Sequence, residues 1–379
     1  MTAVRAADDA LLEGLHGLRR IVFWQPIVSP HQRDFLEAVA IGFPGEVVLA
    51  AERDLPAERI AQGWMPVPHE RVRVVDVSCP AAFESLAAHR GRDSLHVFSG
   101  FFSHRIVWRA FRRLADSSAR LAMLSEAPEL GPWSGGVKRL RGRWLARRWG
   151  KRMEFVLGMG NLGQNFFRDV GFPVGTIHAV GYHIPVPSEP WPRGEMDSTG
   201  PVRFIAAGQF IHRKGFDLLL AALGGTSPAG WRCDIYGSGP RKGALERQAR
   251  RCGLGDRVAF HPPLPNALLR QKIASSDWCI APSRHDGWGI VVNEALIAGT
   301  PVICSTGCGA AMLIQTSDAG FVFPAGNVPV LAGMLHGCVA GGKIDARRRQ
   351  RTHAQAVRTA PETASQAFLE IVARTSPPF

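Results

Sequence analysis

The chain has 379 residues, 46% hydrophobic and 20% charged, enough for two or three domains with a core in each. This composition excludes a disordered tail protein and a disulfide-stapled miniprotein; no apolar run reaches the roughly 18 to 20 residues needed to cross a bilayer. Lysine and arginine total 45 against 32 acidic residues, and the net charge of +13 attracts nucleic acid, anionic lipid or phosphorylated ligands without choosing among them.

A helix is expected over 5–20. Asp8, Asp9 and Glu13 lie within it, so the N-terminus lacks the basic-then-apolar order of a secretory signal, and a cytoplasmic protein is expected. Residues 20–24 read as a buried strand, 25–31 as a polar turn and 32–40 as a helix. Short apolar runs follow at 47–49, 72–77, 95–98, 121–124 and 155–159, separated by helix-period segments at 81–89, 104–115 and 137–150. Such alternation argues for a parallel sheet covered on both faces. Five prolines in 184–201 forbid a helix or a central strand there. Beyond this linker the expected strands are 202–207, 231–236, 258–261, 278–281, 301–304 and 320–323. The expected helices are 215–223, 240–252, 266–275, 290–298, 327–338 and 362–374.

The fold class is therefore α/β. It comprises a Rossmann-like domain over 1–184, a linker over 185–201 and a second Rossmann-like domain over 202–360. A helix over 361–379 is placed to cross back to the first domain. A ligand is expected in a cleft between the domains. The seven cysteines, at 79, 233, 252, 279, 304, 308 and 338, are odd in number and form no CxxC pair. They read as buried reduced thiols, and structural zinc is not expected.

The most informative stretch runs from Pro282 to Ala295, where a buried strand feeds a glycine-containing loop that opens a helix near Ile290. A helix start offers unpaired N–H groups and partial positive charge to a phosphate. Gly287 and Gly289 permit close approach of a ligand to the main chain. Asp286 and Glu294 suit sugar and ribose hydroxyls, or else are an N-cap and an ordinary helix glutamate.

Asp286-Gly287-Trp288-Gly289, Glu294-Ala295 and Gly299-Thr300-Pro301-Val302 together resemble the signature of the retaining nucleotide-sugar glycosyltransferases of family four, the glycosyl transferases group 1 of GT-B fold. Asp286 stands where that family usually has glutamate. Ala207 to Asp217 resembles the family's strand, loop and Lys-Gly helix start. The resemblance gives Lys214 the role of neutralising the donor diphosphate, and Arg213 is a second cation beside it. Gly208 is followed by Gln209 where arginine is frequent. The chain has only six lysines, so one at this position is informative. Asp234 to Pro240, with Gly237, and Phe260 to Leu264, with Pro263 and Leu264, resemble the segments near the nucleotide. Ile290 and Val291 complete the donor-side set.

In the first half, Trp24 to Gln32 resembles the opening loop of polysaccharide-assembly members, with Ser29 and His31 as acceptor-side candidates. Glu126 stands where many members place a histidine; it orients the acceptor or stabilises developing positive charge, or else pairs with an arginine. Residues 137–152 interleave eight basic side chains with Trp144, Leu145 and Trp149. They suit an anionic membrane surface, or form an ordinary solvated face. No RNA-binding module or zinc knuckle accompanies them, so nucleic acid is not an expected partner.

The resemblance implies transfer of a sugar from a UDP- or GDP-sugar to a glycan or polyprenyl-diphosphate-linked acceptor, with retention. The chain contains no Asp-x-Asp sequence, so a metal-free site without a resident cofactor is expected. The alternatives are an epimerase or a phosphorylase of the same fold, or a non-catalytic basic binding module.

Overall fold

A computed structural model describes residues 11, 13–52, 60, 67–100, 104–131, 134–191, 200–226 and 229–375. Residues 5–10 and 12 of the expected first helix, Asp8 and Asp9 among them, and the 192–199 part of the linker lie outside them. Where 5–20 is described, it turns at 15–17 and Arg20 already belongs to the first strand, so no helix reaches 20.

The chain forms two compact units. Unit one comprises 1–57, 65–185 and 360–379; unit two comprises 58–64 and 186–359. The elements of unit one are β1 (Arg20–Gln25), α1 (Pro30–Gly42), β2 (Glu46–Ala51), β3 (Arg73–Asp76), α2 (Pro80–Ala87), β4 (Ser94–Ser99), α3 (Arg105–Leu114), β5 (Arg120–Ser125), α4 (Gly135–Trp149), β6 (Phe155–Met159), α5 (Gly160–Asp169) and β7 (Ile177–Val180). Those of unit two are β8 (Val202–Ala207), α6 (Phe216–Gly224), β9 (Trp231–Tyr236), α7 (Lys242–Arg251), β10 (Val258–His261), α8 (Asn266–Ala274), β11 (Trp278–Ala281), α9 (Val291–Ile297), β12 (Val302–Ser305), β13 (Gly320–Phe323), α10 (Val328–Ala340) and α11 (Ala346–Ala356). Helix α12 (Pro361–Arg374) belongs to unit one.

Both sheets are parallel. The first has the order β3-β2-β1-β4-β5-β6-β7, and the second β10-β9-β8-β11-β12-β13. Strands β4, β5 and β6 are buried at every position, as expected of strands with helices on both faces. Two Rossmann-like units of this kind constitute the GT-B fold. No helix among the described residues is long and apolar enough to cross a membrane.

The core of unit one also encloses a histidine. Trp24 Nε1 donates to His96 Nδ1 at 3.0 Å, and His96 Nε2 donates to the His89 carbonyl at 2.8 Å. Burial presses its pKa down to about 4, so the ring is neutral and both nitrogens are satisfied. The cysteines are all free. Five are buried, Cys252 is half-buried and Cys79 is exposed, at the start of α2 rather than in a core strand. Burial raises the thiol pKa of Cys279 and Cys338 to about 12, which suits inert packing.

Candidate functional site

The order of the second sheet reverses between β8 and β11. Chain leaving β8 goes towards β9 and β10, while chain leaving β11 goes towards β12 and β13. The two departing loops part at their carboxyl ends, which is where open α/β sheets bind ligands. Here the loops are stitched together. The Arg284 and His285 N–H groups donate to the Arg213 carbonyl at 2.8 and 3.2 Å. The Arg284 guanidinium forks onto both oxygens of Asp217, at 2.7 and 2.6 Å, and reaches the His212 carbonyl at 3.0 Å. Burial works against the Asp217 charge. The Arg284 hydrogen bonds and charge outweigh it and hold that carboxyl below the usual carboxylate range.

Gly215 separates the single helical turn His212–Lys214 from α6. Its φ is +70°, and a Cβ there would run into the Pro282 carbonyl. Glycine is what allows the β8 loop to lie against the β11 loop.

This contact aims Lys214 at Asp286. Its Nζ donates to Asp286 Oδ2, while Arg213 Nη1 lies 3.4 Å from Oδ1. Two cations thus share one carboxylate, leaving a local excess of positive charge. The Asp286 main chain is fixed from the other side: its N–H donates to the Gly307 carbonyl at 2.7 Å, and its carbonyl accepts from Gly309 at 3.0 Å. Trp288 is buried, with Nε1 donating to Asn293 Oδ1 at 2.7 Å, so it supports the loop from beneath. Gly289 has φ +94°, and a Cβ would strike Cys308 Sγ.

Glu294 lies inside α9, only 5% exposed, and Arg270 Nε approaches it from α8 at 3.3 Å. Burial raises its pKa and the Arg270 charge pulls the other way. Gly208 and Gln209 are half-buried at the end of β8. Gly237 donates its N–H to the His261 carbonyl at 3.0 Å, and Pro263 and Leu264 follow β10, half-buried. Ile290 and Val291 open α9 and are half-buried. Every donor-side residue expected from sequence therefore sits beyond the carboxyl end of a strand of one sheet: Gly208, Gln209, Arg213 and Lys214 after β8, Gly237 after β9, Pro263 and Leu264 after β10, and the rest after β11. Sequence reasoning missed Arg284, Asp217 and Arg270, because their partners lie 67 and 24 residues away.

In unit one, Glu126 directly follows β5 and is exposed. Tyr182 Oη donates to Glu126 Oε1 at 2.9 Å, and the Tyr182 ring lies 5.8 Å from that of His31. Ser29 precedes α1 without a side-chain capping bond, and Pro30 fills the first helical position. The first turn of α1 and the loops after β5 and β7 thus gather His31, Glu126 and Tyr182. Tyr182 was not anticipated, although tyrosine occurs only twice in the chain and this one lies just beyond a strand.

Residues 190–354 match the family model described as glycosyl transferases group 1. The D-inositol 3-phosphate glycosyltransferase of Thermomonospora curvata is 30% identical over 147 residues, covering 38% of this chain and 30% of that protein. The lipopolysaccharide core biosynthesis glycosyltransferase LpsE of Rhizobium meliloti is 25% identical over 183 residues, 48% of this chain and 53% of that protein. The chain thus spans between 30% and 53% of the length of these curated relatives. Among solved structures, Anabaena HepE in complex with UDP and glucose superposes with a TM-score of 0.68 at 16% identity, covering 94% of this chain and 100% of that one. That likeness shows the fold. Residues 190–354 carry a glycosyl transferases group 1 domain, seated in the second of two Rossmann-like units of GT-B type.

Proposed function

We propose that the chain moves a glycosyl group from a UDP- or GDP-sugar to a hydroxyl of a glycan or of a polyprenyl-diphosphate-linked glycan. It would do so in cell-surface polysaccharide synthesis, at the cytoplasmic face of the membrane. The observation that carries this reading is the meeting of Lys214, Arg213 and Asp286 at the switch point of unit two, within the stretch that matches the family model. The names of the relatives support it: HepE was crystallised with UDP and glucose, and LpsE is named for lipopolysaccharide core synthesis.

In this reading the donor diphosphate lies against Lys214 and Arg213. Their charge stabilises the nucleoside diphosphate as the bond from the anomeric carbon to its oxygen breaks. Asp286 accepts from sugar hydroxyls and Glu294 from ribose hydroxyls, while Pro263 and Leu264 flank the base. The acceptor oxygen bonds to the anomeric carbon on the face the diphosphate leaves, and its proton passes to the departing phosphate oxygen. Configuration is retained, and neither a metal nor another cofactor enters the scheme. Glu126, Tyr182, His31 and Ser29 are the side chains that would orient the acceptor hydroxyl.

The test is a thermal-shift screen of the full chain against UDP-, GDP- and ADP-sugars, followed by turnover assays in excess EDTA. Stabilisation by a UDP- or GDP-sugar and undiminished turnover are expected. Indifference to every nucleotide sugar would sink the donor assignment. Loss of turnover that Mn²⁺ or Mg²⁺ restores would sink the metal-free scheme.

A further inference from the structure

Helix α4 has two opposite apolar faces. Leu145 and Ala146 are buried in unit one, and the Trp149 ring lies 5.6 Å from Trp108 and 5.2 Å from Phe111. Of the three large apolar side chains noted in the sequence, Leu145 and Trp149 therefore face the core and only Trp144 is exposed. The opposite face adds two that the sequence reading passed over. Val137, Leu140 and Trp144 are 69%, 68% and 52% exposed. At 3.6 residues per turn the three share an arc of about 60°, directly opposite the core-packed face. Trp144 is braced edge-on against Trp149 at 5.1 Å.

A solvated helix face is ordinarily polar, so an exposed valine, leucine and tryptophan in one stripe call for a partner. Arg141 and Arg148 border the stripe on one side and Arg143 and Arg147 on the other, and Lys151 lies beyond its end. No acidic residue occurs from Ser134 to Met153. Lys138 Nζ donates to the Glu129 carbonyl at 2.6 Å, tying the first turn of α4 to the loop that carries Glu126 away from β5.

We propose that this face of α4 docks on an anionic lipid surface, with Val137, Leu140 and Trp144 at headgroup level and the flanking arginines on lipid phosphates. An apolar stripe between cationic borders is the pattern of an interfacial helix. A nucleic-acid backbone would use the arginines but would leave Val137 and Leu140 without a role. The inference goes beyond the transferase reading and does not depend on it.

The experiment is co-sedimentation of the full chain with vesicles containing phosphatidylglycerol, against vesicles of pure phosphatidylcholine. Binding to the first alone, weakened by raised salt, is expected. Leu140→Ser with Trp144→Ser, and separately Arg143, Arg147 and Arg148→Gln, should each lower the bound fraction about tenfold, with unchanged melting temperature. Brominated lipids should quench wild-type tryptophan fluorescence, and Trp144→Phe should remove most of that quenching. Absence of wild-type binding to anionic vesicles overturns the proposal. So does an RNA oligonucleotide that binds through the arginines while the Leu140/Trp144 variant still sediments like wild type.

Discussion

Lys214 and Asp286 are partners in the structure, and this sets what a substitution at either one reports. Removing the lysine leaves Asp286 with Arg213 at 3.4 Å, so the carboxylate keeps a cation and the loop keeps its main-chain bonds to Gly307 and Gly309. Lys214→Ala is therefore expected to fold normally. A charge-assisted contact to phosphate is worth about 1.5–3 kcal/mol, so nucleoside diphosphate affinity should fall by about ten- to a hundredfold. Calorimetric titration checks this, with the free nucleoside as control, since it lacks the phosphates and should be little affected. Glu294→Gln differs in kind, because its carboxylate is buried against Arg270. It should weaken nucleoside and nucleoside diphosphate alike. If both variants weakened only the diphosphate, the ribose role of Glu294 would be wrong.

Among the elements, the β8 loop depends on a single residue, Gly215. Gly215 lets the turn His212–Lys214 end and α6 begin while the chain touches the Pro282 carbonyl, and the Arg284–Asp217 fork clamps the same junction. Gly215→Ala places a side chain at φ +70° and costs about 1–3 kcal/mol in backbone strain before any collision is counted. Chemical denaturation should show that loss, and donor affinity should fall with it because Lys214 is displaced from Asp286. An unchanged denaturation midpoint would mean that the loops are not held together as described. The strands around this junction were legible in the sequence because both faces of a parallel sheet are buried, which leaves uninterrupted apolar runs such as 278–281 and 302–304. The glycine positions and Lys214 were legible because they are local. Three elements were not. In α11 the buried positions are Arg349, Thr352, His353 and Ala356, so no apolar stripe announces the helix. In α5 the buried face includes Gly160 and Gly163, and β7 is a four-residue edge strand without a fully buried position. Side-chain pairs such as Arg284 with Asp217 and Tyr182 with Glu126 exist only once the fold has joined distant loops.

At the scale of the whole molecule, the last helix returns to the first unit and completes its core. Phe368 lies 5.7 Å from both Phe23 and Phe35 and 6.1 Å from Phe155, so α12 contributes an aromatic to a cluster built from β1, α1 and β6. Arg120 Nη2 adds a bond to the Val372 carbonyl at 2.7 Å while its Nε holds Glu154 at 2.9 Å. After Pro185 the chain enters the main part of unit two, and it comes back to unit one at Ala360. Truncating Phe368 to alanine removes a side chain that is 3% exposed, a change that costs about 3–5 kcal/mol when a buried phenylalanine is lost. The loss should fall on unit one alone. Nucleoside diphosphate binding, which is assigned to residues of unit two, should keep its wild-type affinity below the melting temperature of the weakened unit. Calorimetric unfolding with and without UDP or GDP makes the comparison, because the ligand should raise the unfolding temperature of unit two in wild type and variant equally. A variant that loses nucleotide affinity in step with its stability would show instead that the two units fold as one cooperative body, with the returning helix as the link between them.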